Sequence, residues 1–158
     1  MRVLDPDANP QLLLTLNPAV VMLGLNISRP VSVLFGNFHP NYPQANDYKI
    51  RFAFEGTRYY GAYMTDVVKF LVDKQSASVM TTVRQSPEIL DLSAELLRTE
   101  LRDLGVGKPE IIAFGADAAR LARQILNPGE YSRLVQVTHY SHFVGQEDYR
   151  RQVLAQLE

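Results

Sequence analysis

A short apolar run near the start of the chain, Val20-Val21-Met22-Leu23-Gly24-Leu25-Asn26-Ile27-Ser28, constrains the fold more than any other feature. A run of this length that ends in turn residues is typical of a β-strand buried on both faces and followed by a tight loop. In an open α/β sheet, the loops at the carboxyl ends of the strands face the ligand crevice. We therefore expect a strand over Ala19 to Leu25 that delivers Asn26 and Ser28 to a cleft.

Helical and strand patterns alternate along the rest of the chain. The clearest helix begins at Ser86 as its N-cap, has Pro87 at its first position and ends at Gly105. The other predicted helices are 12–16, 47–54, 66–73, 117–126 and 147–157, and the other predicted strands are 59–64, 110–114 and 134–138. Strands separated by helices need crossover connections. The pattern predicts one α/β domain over residues 1–158, a three-layer α/β/α sandwich around a central, mostly parallel, four-stranded sheet.

Composition excludes several kinds of chemistry. The 158 residues contain no cysteine, which excludes disulfides, thiolate nucleophiles, iron–sulfur clusters and cysteine-bound zinc. Neither a signal peptide nor an apolar run of membrane-spanning length is visible, so we expect a cytoplasmic protein with no membrane partner. The net charge of −1 argues against a large surface that binds nucleic acid non-specifically. A local phosphate contact, however, does not require an excess of Lys and Arg over Asp and Glu.

The three histidines lie in two predicted loops. His39 follows the first strand, and His139 and His142 follow the fourth. If the strands are parallel, these loops open at the same edge of the sheet. One hypothesis is that surface loops simply favour polar residues. The other is a convergent site at one crevice, formed by Asn26, Ser28, His39, Asp66, His139, Ser141 and His142.

Five segments together resemble the uracil-DNA glycosylase superfamily. In chain order they are Gly24-Leu25-Asn26-Ile27-Ser28, Asn37-Phe38-His39, Gly61-Ala62-Tyr63-Met64-Thr65-Asp66-Val67-Val68-Lys69, Ile111-Ile112-Ala113-Phe114-Gly115 and His139-Tyr140-Ser141-His142. The resemblance covers residues 20 to 142 and is greatest to a bacterial branch of the superfamily. The first segment is also similar to the mismatch-specific (thymine/uracil) branch. The resemblance implies a uracil-DNA glycosylase-like fold.

The resemblance also implies roles for single residues. Gly24-Leu25-Asn26 is similar to the first catalytic motif, in which the Asn positions the attacking water. Phe38, beside His39 in the second segment, stands where the family has an aromatic ring that stacks on the flipped base. Asp66 stands where uracil-specific branches have an Asn that contacts the edge of the base.

The last segment resembles the second catalytic motif. His139 looks like the His that stabilises negative charge on the departing base. Ser141 resembles a phosphate-contacting Ser, and His142 begins the stretch that props the duplex open. The resemblance thus implies a monomeric DNA base-excision glycosylase that acts on single- or double-stranded DNA containing a damaged or mismatched base. Asn26 and His139 would be the catalytic residues, and no cofactor or metal is expected.

The side chains of His139 and Asp66 suit the cleavage of an N-glycosidic bond. Breaking an N-glycosidic bond gives an oxocarbenium-like sugar and an anionic base, so a donor such as His139 must face the base. The target base must leave the stack and be gripped by stacking and by edge hydrogen bonds. An ionised Asp only accepts hydrogen bonds. Asp66 therefore suits a base whose edge presents two adjacent N–H donors, as guanine does, better than it suits uracil. The alternative is that Asp66 caps the helix predicted to follow it.

Two other functions fit the same residues. Ile27 and Tyr140 stand where the family usually has Pro, and together with the acidic pI they favour a catalytically inactive module that binds a nucleotide, DNA or a protein partner. A metal-dependent hydrolase is the other alternative, because His39, His139, His142 and Asp66 could supply metal ligands.

Overall fold

The computed structural model describes residues 7–31, 37–38 and 45–158. Its sheet contains four strands, β1 (Asn17–Ile27), β2 (Ala62–Val72), β3 (Glu110–Phe114) and β4 (Arg133–Val137), in the order β2-β1-β3-β4. All neighbouring strands are parallel. The prediction of a mostly parallel four-stranded sheet is therefore confirmed, and within the described residues the sheet is entirely parallel.

Helices cover both faces of this sheet. The described residues form α1 (Leu12–Thr15), α2 (Tyr48–Phe54), α3 (Ser76–Gln85), α4 (Pro87–Asp103), α5 (Ala116–Ile125) and α6 (Gln146–Leu157). Helices α3, α4 and α5 share one hydrophobic core with the sheet, and α2 and α6 share a second core with its other face. This arrangement fits the predicted three-layer sandwich. No helix in the described part of the chain is both long and apolar enough to cross a membrane.

The central position of strand β1 in the sheet explains the apolar run over residues 20–28. Val21 and Leu23 point into the core on the α4 side, whereas Val20 and Met22 point into the core on the α6 side. The strand is central and needs apolar side chains in both directions, so its sequence is a continuous apolar run.

Helix α4 forms as its sequence pattern predicts. Leu90, Ala94, Leu97 and Leu101 make a buried stripe against the sheet. Gly105, just beyond the helix, has φ of +70°, a conformation that glycine adopts without steric cost.

The second strand is longer than the sequence predicted. β2 covers Ala62–Val72, so the predicted strand over 59–64 is too short and the predicted helix over 66–73 is wrong. Pairing with β1, which sets Asp66 opposite Gly24, keeps this segment extended. A short apolar run fits either periodicity, and tertiary contacts decide between them. Asp66 therefore lies inside a strand and does not cap a helix. Helix α3 has no counterpart among the predicted elements.

Candidate functional site

Gly24 of β1 and Asp66 of β2 form the centre of the candidate site. They are register partners in neighbouring parallel strands. A Cβ on Gly24 would overlap Oδ1 of Asp66 and would lie 3.1 Å from Cζ of Phe38. Glycine at this position therefore allows a carboxyl group and an aromatic ring to pack against the same stretch of backbone. Two of the five resembling segments thus meet a third at Gly24.

The Asp66 carboxyl is buried and held by one neighbour. The residue is 4% exposed, and Asn37 Nδ2 donates a hydrogen bond to Oδ2 at 2.8 Å. Burial raises the pKa of Asp66 to about 6, although the Asn37 hydrogen bond and the positive charge of Lys69 act in the opposite direction. The negative charges of Asp47 and Glu100 add to the increase. Asp66 is therefore mostly ionised at pH 7 and becomes protonated below about pH 6.

Phe38 is packed in a strained conformation. Its φ is 59°, and its side chain is buried in the core between the sheet and helices α2 and α6. A bulky residue with positive φ is unusual and persists only when its surroundings fix it. The contact with Gly24 and the neighbouring Asn37–Asp66 hydrogen bond supply such constraints.

His139, just after β4, is held as a neutral imidazole with a defined tautomer. The backbone N–H of Ser141 donates to Nδ1 at 3.1 Å, and Ser141 Oγ lies 2.8 Å from the same nitrogen. Because Nδ1 accepts a hydrogen bond, we assign the proton to Nε2. Burial lowers the pKa of the imidazole below its ordinary value. The Nε2–H group is thus the hydrogen-bond donor of the ring, and Ser141, expected at a phosphate, contacts His139.

Tyr140 links the His139 end of the site to the Asp66 end. Its ring stacks on His139, with ring centroids 4.2 Å apart, and meets Phe114 edge-on at 5.4 Å. Burial raises the pKa of its hydroxyl, and the charges of Asp47 and Asp66 and a hydrogen bond with Asp47 raise it further. Tyr140 therefore lies within electrostatic reach of both carboxylates.

Asp47 was missed as a site residue. The sequence indicates only that it begins a helix, and it does immediately precede α2. Helix α2 reaches the site because Lys49 Nζ donates to the carbonyl of His142 at 3.0 Å and Arg150 Nη1 donates to the carbonyls of Phe52 and Ala53. Nothing local to Asp47 signals these long-range contacts.

Asn26 ties together the ends of β1 and β2. Its Nδ2 donates to the carbonyls of Ile27, Leu71 and Asp73 at 3.0, 3.2 and 2.8 Å. The amide nitrogen therefore has a structural role that the sequence did not predict. The amide oxygen, which accepts rather than donates hydrogen bonds, takes no part in these three contacts.

The other predicted site residues are less closely associated with this centre. Leu25 packs into the core on the α4 side of the sheet, opposite to the face of Asp66. Ser28 and His142 are exposed, just after β1 and in the loop after β4. His39 lies outside the described residues. Among the residues that are described, no three His, Asp or Glu side chains come together as a metal site.

Comparisons with family models, curated proteins and solved structures found no match to this chain.

Proposed function

We propose that this chain is a DNA base-excision glycosylase with a uracil-DNA glycosylase-like fold. The observation that carries the proposal is the meeting of separate segments around one place. Phe38 and Asp66 both pack against Gly24, and Tyr140 stacks on His139 and lies within reach of the Asp66 charge. Each of these segments also carries the resemblance to that superfamily. The carboxyl ends of parallel strands, near which the segments meet, are the usual place for a ligand in such sheets.

The proposed mechanism uses two protein groups. One donates a hydrogen bond to the departing base, and the other is a polar group near the sugar. The bond between C1′ and the base nitrogen breaks, and its electron pair goes to the base. His139 donates from Nε2 to a carbonyl oxygen of the departing base, where negative charge develops. The amide oxygen of Asn26 orients the water that adds to C1′, and the proton that this water loses passes through solvent and neutralises the departed base anion. Since His139 starts neutral, it stabilises the charge by hydrogen bonding without a full proton transfer.

Phe38 and Asp66 recognise the base in this proposal. The flipped base stacks on the Phe38 ring, and its edge donates to the Asp66 carboxylate. At neutral pH an ionised Asp66 repels the O4 carbonyl of uracil. Below about pH 6 the protonated carboxyl offers one donor and one acceptor, as an Asn does. The proposed substrate at neutral pH is therefore a damaged or mismatched base other than ordinary uracil. Phe143, which follows His142 and is fully exposed, is suited to enter the gap left by the flipped base.

A second candidate is a catalytically inactive module that binds a nucleotide or DNA. It is favoured by the use of the Asn26 amide nitrogen for three backbone contacts, since a residue fixed in this way is explained without catalysis. Under this alternative, Phe38 and Asp66 contact a bound base but no bond is broken.

A base-release assay on labelled oligonucleotides distinguishes the two candidates. Single and double strands would carry one uracil, hypoxanthine, xanthine or G·T mismatch, and the exposed Gln124→Ala substitution on α5 would serve as the control. Release of a base that Asn26→Ala and His139→Ala both abolish, with folding retained, supports the glycosylase. Tight oligonucleotide binding without release of any base supports the binding module.

A further inference from the structure

The turn that follows β4 holds one aromatic side chain fully in solvent. The backbone N–H of His142 donates to the carbonyl of His139 at 2.9 Å, and the N–H of Val144 donates to the carbonyl of His142 at 2.9 Å. The second hydrogen bond closes a three-residue γ-turn with Phe143 at its tip. Tyr140 and Val144 pack against the core beside α6, whereas the Phe143 side chain is fully exposed. The fold thus anchors both ends of the turn and leaves the phenylalanine ring in water.

A buried lysine from a distant part of the chain holds this turn. Lys49 lies in the first turn of α2 and is 5% exposed, and its Nζ donates to the His142 carbonyl at 3.0 Å. That carbonyl therefore accepts two hydrogen bonds, one from within the turn and one from α2. Burying an ammonium group costs free energy that its hydrogen bonds must offset. Lys49 is placed to fix the peptide group that immediately precedes Phe143.

The surroundings of Phe143 favour stacked DNA bases as the group that meets the ring. Both faces of a fully exposed ring are open, as stacking between two neighbouring bases requires. The segment from His139 to Gln146 contains no Asp or Glu, so the turn itself presents no carboxylate to a phosphate backbone. Phenylalanine is also one of the apolar side chains that DNA-binding proteins insert between base steps.

We propose, resting on the glycosylase function above, that Lys49 is a positioning residue that holds Phe143 ready to enter the space vacated by a flipped base. Without the ammonium group, one of the two hydrogen bonds that fix the His142–Phe143 peptide is lost. The ring must then be ordered when DNA binds, and this ordering costs affinity. Lys49 contacts neither the base nor C1′, and its effect on DNA binding passes through Phe143.

The test measures the affinity for a DNA duplex that carries one tetrahydrofuran abasic-site analogue, which offers a gap for Phe143 and needs no base release. The same duplex without the analogue measures non-specific binding. Phe143→Ala should weaken binding to the abasic duplex by about tenfold or more, because the stacking contact is lost. Lys49→Met should weaken it by about fivefold, because the ring is no longer held in place.

The stability of Lys49→Met should change little, since the cost of burying the charge disappears together with its hydrogen bond. The matched control is Lys108→Met. It makes the same substitution and removes the same charge at an exposed position just before β3, at the opposite end of the sheet. Its affinity for the abasic duplex should be close to that of the unchanged protein.

The double variant distinguishes positioning of Phe143 from general support of the fold. If Lys49 acts through Phe143, Lys49→Met should have little further effect on affinity in a protein that already carries Phe143→Ala. If the two residues act independently, the two losses multiply. Multiplied losses would overturn the inference, and so would unchanged affinity of Lys49→Met for the abasic duplex.

Base release by the same variants separates this inference from the proposed function. Release of a base together with unchanged affinity of Lys49→Met would overturn the inference and leave the glycosylase intact. Coupled losses of affinity without release of any base would support the positioning role and overturn the glycosylase. Failure of the unchanged protein to bind either duplex would overturn both. If Lys49→Met does not fold, amide exchange in the unchanged protein decides, because a held turn protects the Val144 N–H and an unheld turn lets it exchange as in an unstructured peptide.

Discussion

The side chain of Asp66 packs against the backbone of Gly24 so closely that no Cβ fits between the two strands at this point. The absence of a side chain on one strand thus creates the space for a carboxyl group from the next. The same space admits the ring of Phe38. This pairing determines the geometry of the candidate site, and its consequences can be measured.

Gly24→Ala should destabilise the fold and disturb Asp66. The new methyl group overlaps Oδ1, and both neighbouring groups are buried and cannot move freely, so we expect a loss of about 1–3 kcal/mol in the free energy of unfolding. Urea denaturation measures this change. Gly107→Ala is the control because a Cβ there meets nothing within 4 Å. Equal stabilities of the two variants would contradict the close packing.

Asp66→Asn should stabilise the protein in a pH-dependent way. The folded pKa of about 6 is above the ordinary value of 3.8, so the ionised carboxyl is less favourable in the folded state. The wild-type protein therefore loses stability as the pH rises from about 4 through 6, by up to about 3 kcal/mol, whereas the Asn variant lacks this loss.

Urea denaturation of both proteins at pH 4, 6 and 8 tests this prediction. The Asn variant keeps an acceptor for the Asn37 hydrogen bond, so the comparison isolates the charge. The advantage of the variant should be greatest at pH 8 and smallest at pH 4. A stability difference that is constant across this range would mean that the carboxyl is not desolvated.

Two residues of α6 should position His139 through the residue before it. Tyr149 Oη donates to the Thr138 carbonyl at 3.0 Å, and Gln156 accepts from the Thr138 N–H at 2.8 Å. Removing the Gln156 side chain should reduce the free energy of unfolding by about 1 kcal/mol.

The functional readout for Gln156→Ala is the rate of base release at saturating substrate. That rate should fall while the KM for the oligonucleotide changes little, because binding contacts remain and only the donor is displaced. Gln152→Ala, an exposed change on the same helix, is the matched control. A Gln156→Ala variant with full activity would show that the hydrogen bond between Gln156 and Thr138 does not position His139.

The tautomer of His139 can be observed directly. We expect long-range ¹⁵N–¹H NMR spectra at pH 7 to show the proton on Nε2 and an unprotonated Nδ1, because the Ser141 amide occupies Nδ1. The ring should also titrate below its ordinary pKa of 6.5, since burial disfavours the charged form. A proton on Nδ1 would leave Nε2 without a hydrogen, so that His139 could not donate from Nε2 to the departing base, and this would contradict the mechanism.

The sequence predicted those parts of the fold that local patterns determine. The run containing Val20 to Leu23 indicates a central strand because each side chain meets a core, and the caps and stripe between Ser86 and Gly105 indicate a helix. The sequence prediction of a helix after Met64 is wrong because the short apolar run there fits both a helical and a strand periodicity. Only its pairing with β1, a contact distant in sequence, keeps it extended.

The candidate site was foreseeable only in part. The residues of the resembling segments could be named, and Asp66 and Phe38 do meet at Gly24. The approach of Asp47 could not be predicted, because it depends on how α2 packs against the loop after β4. The use of the Asn26 amide nitrogen depends on the far end of a strand that the sequence assigned to a helix.

The most direct test of the glycosylase is the single-turnover rate at which His139→Ala releases whichever base the wild-type protein releases. Loss of a donor that faces developing negative charge should lower this rate by about 100-fold or more, and His139→Gln, which keeps an N–H donor, should recover part of it. Oligonucleotide affinity should change little. A His139→Ala variant that folds and releases the base at the wild-type rate would contradict the proposed mechanism.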